Sequence, residues 1–172
     1  ASDRGATRTD RVWAEAVAAE VVRRLRNPKD AERPFGVVTF SQAQQTLLLD
    51  LLDAAQRKHP EIEPFFDEGV QEPVFVKNLE NVQGDERDAI LFTVCYGPDK
   101  TGKVRMNFGP LNKDGGWRRL NVAITRARRE LLVFSTLRSD QIDLNRTRHP
   151  RGKDLTPVLA PRHTGGAALV AD

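Results

Sequence analysis

The chain has 172 residues, 39% of them hydrophobic and 30% charged. That balance belongs to one soluble, globular domain with a real core rather than to a disordered or membrane-spanning chain. Lysine and arginine outnumber acids by 27 to 24, a net charge of +3, so a polyanionic partner is permitted but not required. No apolar run approaches the roughly 20 residues needed to cross a bilayer.

The first ten residues are polar and carry no apolar signal segment. The chain opens Ala1-Ser2 rather than with Met, as expected of a piece of a longer protein. Its single cysteine, Cys95, sits in an apolar run and reads as a small core residue in a reducing compartment, the cytoplasm. His59, His149 and His163 have no ligand spacing, so no metal site is expected.

In chain order, residues 10–27 are predicted to form an amphipathic helix, with Val12, Ala16, Val17, Val21 and Leu25 on its apolar face. Pro28 ends it. Phe35 to Phe40 is a short apolar run of the kind found in buried parallel strands. Ser41, with Gln44 three residues on, reads as a capping box. The helix it opens covers residues 42–58, and Pro60 stops it. After a polar stretch, Val74-Phe75-Val76 is predicted as a second strand and residues 89–96 as a third. Residues 97–102 read as a turn and 104–108 as a return strand. A helix over residues 117–128 and a fourth strand over 131–135 follow. Strands alternating with helices predict an α/β fold with a mostly parallel sheet. Residues 1–34 are expected to be a helical segment packed on the domain, 35–137 its core, and 138–172 an irregular tail.

Three segments are candidates for chemistry. In Trp117-Arg118-Arg119-Leu120-Asn121-Val122-Ala123-Ile124-Thr125-Arg126-Ala127-Arg128-Arg129, helical spacing puts Leu120, Ile124 and Ala127 on one face. Arg119 and Arg126 fall on another. Guanidinium groups gathered on a stripe repel one another and match phosphate oxygens well; a solvated basic face explains the same composition. Gln83-Gly84-Asp85-Glu86 stands just before the third strand. Gly84 permits a positive φ, and Glu86 is a carboxylate at a loop-to-strand junction able to accept hydrogen bonds from a ribose. A charged turn is the plainer account. Thr39-Phe40-Ser41 joins a strand end to a helix start, where hydroxyls and amides bind phosphate or simply cap the helix.

Gly97 to Lys103 fits G-x-x-x-x-G-K, but Val104 stands where a P-loop needs Ser or Thr. The chain is therefore expected to lack its own P-loop and to bind Mg-ATP unproductively alone.

Together these segments resemble the second RecA-like domain of superfamily 1 helicases, in particular the Upf1-like branch. The run from Arg118 to Arg128 is similar to that family's motif VI, and Asn78 to Asp88 to its motif V. Val37 to Ser41 resembles the strand and phosphate-contacting turn that open the domain. The sequence departs from the family at Trp117 and at Asn78, where an acidic residue and a Thr or Ser are frequent.

The resemblance implies an ATP-dependent helicase or translocase with Arg126 as the catalytic arginine finger. Gln83, Gly84, Glu86, Arg119, Arg126 and Arg128 would face the nucleotide, with Glu86 at the ribose. Thr39, Ser41 and Asn78 would face single-stranded DNA or RNA. ATP with Mg2+ would be bound mainly by the N-terminal RecA-like domain of the same parent protein, and no membrane is implied. Two other readings stand beside it. One is a non-motor nucleic-acid-binding or regulatory module of RecA-like fold. The other is a scaffold whose arginines make only structural ion pairs.

Overall fold

The computed structural model describes residues 11–94, 116–135, 162–164 and 167–171. The expected turn at 97–102, the strand at 104–108 and Cys95 lie outside them.

Helix α1, Arg11–Arg26, buries Ala14, Val17, Ala18, Val21 and Leu25, the three-to-four spacing of one helical face. Arg23, Arg24 and Arg26 fill its last turn and complement the negative end of the helix dipole. Asn27 then caps the short helix α2, Pro28–Ala31, its side chain accepting the N–H of Lys29. Strand β1 is Phe35–Thr39. Ser41 caps α3, Gln42–Lys58, with its hydroxyl accepting the N–H of Gln44 at 3.2 Å, as the sequence predicts. The stretch beyond was expected to be merely polar. Instead Pro60–Phe66 forms a 3-10 turn that buries Ile62. Pro60 and Pro64 forbid a regular α-helix there but leave this tighter turn open.

Strands β2 (Phe75–Asn78), β3 (Arg87–Val94) and β4 (Ala127–Ser135) complete the central sheet, and α4, Gly116–Ile124, precedes β4. Two further strands, β5 (Arg162–Thr164) and β6 (Ala167–Ala171), extend it. The order is β2-β1-β3-β4-β6-β5. The first four are parallel, and β6 and β5 add on antiparallel. This is the expected α/β, RecA-like arrangement, a parallel sheet with helices on it. Within the tail expected to be irregular, β5 and β6 pair with the sheet instead. The apolar run of β6 pairs with the side of β4 that would otherwise be a sheet edge, and β5 becomes the outer strand.

Both sheet faces are covered, so the strands alternate between two cores. Val37, Leu91, Leu132 and Phe134 pack with α1 and α3. Val38, Ile90, Phe92, Leu131 and Val133 pack with Leu120 and Ala123 of α4 and with Leu79 and Val82. The last two belong to the β2–β3 connection. Burying each aliphatic side chain of this kind contributes roughly 2 kcal/mol. Gly36 accommodates a close approach: a Cβ there would collide with the Phe75 ring, which would have to shift.

One buried ion pair joins the layers. Arg24, 6% exposed, donates to both carboxylate oxygens of Glu130 at 3.1 and 3.2 Å and to Glu20 at 2.9 Å. Burial opposes its charge, but the hydrogen bonds to Glu130 and Glu20 outweigh that penalty and raise its pKa. Among the described residues no helix is long and apolar enough to cross a membrane.

Two corrections concern the arginine-rich segment. The helix was expected to run to residue 128; it stops at Ile124, and β4 begins at Ala127 rather than 131. Side chains take the place of the next helical turn. The Thr125 hydroxyl donates to the carbonyls of Asn121 and Val122, and Arg126 Nε donates to Val122 O. Arg126 therefore lies in a turn between helix and strand, not on a helical stripe with Arg119.

Candidate functional site

Because β1 to β4 run parallel, the sheet has two distinct ends. Thr39 and Asn78 pair in register at the C-terminal end. Arg87 pairs with Ala127 at the N-terminal end. The β2–β3 connection must return from one end to the other over β1. It does so with Leu79 and Val82 buried against Val38. Leu79 N–H is tied to Thr39 O at 3.0 Å. The expected nucleic-acid residue Asn78 and the expected nucleotide residue Glu86 thus stand at opposite ends of one short segment.

Among the described residues, Thr39 and Asn78 close the C-terminal end as buried, uncharged side chains. Thr39 is fully buried, and its hydroxyl donates to Ser41 O at 2.9 Å. Asn78 is 5% exposed. Its amide donates to Gln45 at 2.9 Å and its oxygen accepts Glu80 N–H at 2.9 Å. Its own N–H is received by Asn81. Ser41 is half-buried and caps α3. Thr39 and Asn78 brace the loop in this structure, and of the three expected residues Ser41 alone is partly exposed.

The N-terminal end is charged. Arg126 sits 3.4 Å from Glu86 and its Nη2 donates to Thr125 Oγ1 at 3.4 Å. Its backbone carbonyl accepts the N–H of Arg87 at 3.0 Å, tying the turn to β3. Arg128 reaches Asp88 at 3.2 Å and also grips Glu72. Arg129 lies 3.7 Å from the other Asp88 oxygen. Glu72 holds φ at 53°, a left-handed conformation that costs a non-glycine residue about 1–3 kcal/mol and clusters at functional positions. Gln83 and Gly84 are exposed beside this group, and Gly84 has the positive φ, 94°, that its residue type permits.

The structure therefore brings Glu86, Arg126 and Arg128 to one end, with Gln83 and Gly84 on the loop that leads there. No described contact links Arg119 to them; its Nη1 is buried without a hydrogen-bond partner among the described residues. Sequence reading passed over Glu72 and Arg87. Glu72 meets Arg128 across 56 residues of chain, a pairing with no local signal. Arg87 looks like the polar start of an apolar run.

Exposed guanidinium groups gathered at one sheet end can receive phosphate oxygens once their carboxylate partners let go. Among the described residues no group of three or more His, Cys, Asp or Glu side chains could hold a metal ion. Glu72, Glu86 and Asp88 each face an arginine instead. These acids do not fit a magnesium site.

Known proteins carry a similar segment. The uncharacterized ATP-dependent helicase MG140 of Mycoplasma genitalium is 39% identical over 130 residues, 72% of this chain and 11% of that protein. The MG140 homolog of Mycoplasma pneumoniae is 37% identical over 129 residues, 71% of this chain and 11% of that protein. The chain thus spans only about a ninth of the length of these relatives. The model of a family described as an AAA domain matches residues 7–138. By that match the chain belongs to the AAA domain family.

Proposed function

We propose that this chain is the second motor domain of a superfamily 1, Upf1-like helicase or translocase and supplies its arginine finger, Arg126. The observation that carries the reading is the convergence of Arg126 on Glu86 at 3.4 Å, beside the exposed Gln83-Gly84 turn. The two relatives are named as ATP-dependent helicases, which supports the same reading. ATP with Mg2+ is held mainly by the N-terminal RecA-like domain of the parent protein. Residues 35–137 form the core that closes on it, residues 1–34 pack on that core, and 138–172 follow it.

In this mechanism Glu86 exchanges Arg126 for the ribose hydroxyls as the cleft closes. Arg126, with a partly exposed side chain (20%), swings to the γ-phosphate and stabilises charge developing in the transition state. Gln83 and Gly84 bring backbone close to the nucleotide. Arg128 and Arg119 are the secondary cations for the nucleotide. At the other sheet end Ser41, with the backbone around Thr39 and Asn78, faces single-stranded DNA or RNA through sequence-independent contacts. Cleft closure moves that end along the strand.

The test is ATP turnover by the parent protein with and without single-stranded nucleic acid. Turnover stimulated by the strand, and lost in Arg126→Ala with strand binding kept, is the expected result. Unstimulated turnover that survives Arg126→Ala overturns the proposal. A second reading draws on the ion pairs themselves: a non-motor module of the same fold whose arginines only brace the sheet end. Unchanged turnover would favour it.

A further inference from the structure

Arg87 is the most unusual cation among the described residues. It is 8% exposed, and its described hydrogen-bond partners are all backbone carbonyls. Nε and Nη2 both donate to Pro73 O, at 3.1 and 2.9 Å, and Nη1 donates to Glu86 O at 2.7 Å. Its guanidinium lies 4.9 Å from the centre of the Phe75 ring, a cation–π distance. The ring in turn lies against Gly36, where any side chain would collide with it. A glycine in β1, an aromatic ring in β2 and a carbonyl before β2 thus build one seat for a buried charge. Burying a charge is costly, and an apolar side chain would fill the space more cheaply. What only the planar fork achieves is a fixed link between the 73 and 86 loops.

That link runs through the candidate site. The Glu86 carbonyl is held by the Arg87 side chain, and the Arg126 carbonyl by the Arg87 N–H. Pro73 follows the strained Glu72 that grips Arg128. We infer that Arg87 is a positioning residue: it sets the backbone that aims Glu86 at the ribose and Arg126 at the phosphates. The inference rests on the nucleotide role proposed for those two residues. Arg87 itself touches no substrate.

The test uses the parent protein with Arg87→Lys, which keeps charge without the fork, and Phe75→Leu, which removes the ring and leaves Arg87 in place. ATP turnover, KM for ATP, and the ratio of KM for 2′,3′-dideoxy-ATP to that for ATP are read, with circular dichroism melting as the folding control. Arg87→Lys is expected to lower kcat by roughly tenfold to a hundredfold, the penalty of catalytic groups displaced by about 1 Å. It should also bring the KM ratio close to one. Phe75→Leu should shift both in the same direction by less. Folded variants that keep wild-type kcat and sugar discrimination overturn the inference, as does lost activity that tracks lost folding alone. If Arg126→Ala abolishes turnover while Arg87→Lys does not, only the positioning role falls. If neither affects turnover, the motor reading has failed first.

Discussion

The two ends of the sheet use polar residues in opposite ways. At the C-terminal end Thr39 and Asn78 are buried and their hydrogen bonds are spent on the adjoining loops and on Gln45 of α3. At the N-terminal end Glu86, Arg126 and Arg128 are paired with one another or with Asp88 and Glu72 while staying accessible. A neutral, satisfied group buried without water is stable only where it is. An exposed ion pair is held by little and can be exchanged for a ligand. Similar-looking motif letters therefore mark a brace at one end and a set of accessible ion pairs at the other. One connection of eight residues, 79–86, joins them.

The comparison predicts that substitutions at the closed end cost stability and those at the charged end cost activity. The largest stability effect should come from an exception, the buried pair at the charged end. Arg24→Ala leaves Glu130 without its described partner, while Glu20 keeps Arg23, and should lower unfolding stability by about 3 kcal/mol, read by urea denaturation. A loss near zero would remove the distinction between buried and exposed charges drawn here. Asn78→Ala takes away the acceptor of the Glu80 N–H and the donor to the Gln45 side-chain oxygen, and about 2 kcal/mol should be lost. If it melts like the wild type, the brace is not a brace. Arg128→Ala breaks ion pairs that are 40% exposed on the arginine side, so thermal melting should report no more than about 0.5 kcal/mol.

The smallest effect is electrostatic. Hydrogen bonding to Arg23 holds the Glu20 carboxyl below its ordinary value of 4.5, helped by Arg24 and opposed by burial. A depressed carboxylate contributes its stability above the unfolded pKa and loses it as pH falls through the folded one. Stability should therefore decline below about pH 4.5, and Glu20→Gln should flatten that decline in acid melts. An unaltered slope would show that Glu20 does not drive it.

Much of the architecture was legible because burial writes itself into period and length. Apolar runs buried on both faces gave β1 and β3, three-to-four spacing gave α1 and α3, and Ser41 marked a helix start. The failures have one cause: contacts distant in sequence decided the outcome. Arg126 reads as helical until Thr125 and its own Nε terminate α4 and β3 claims Ala127. The tail reads as irregular until Ala167–Ala171 finds β4. The candidate site was visible as motifs, but not the opposition of its two ends. That follows from parallel strands and a connection that must cross between them.

The central claim is that Arg126 stabilises the transition state of ATP hydrolysis on a neighbouring domain. Its most direct test is single-turnover hydrolysis of ATP bound to the parent protein at saturating single-stranded nucleic acid, wild type against Arg126→Ala. The hydrolysis rate should fall by about 10³-fold or more while ATP affinity changes only a few-fold. Equal rates in the two proteins would contradict the account.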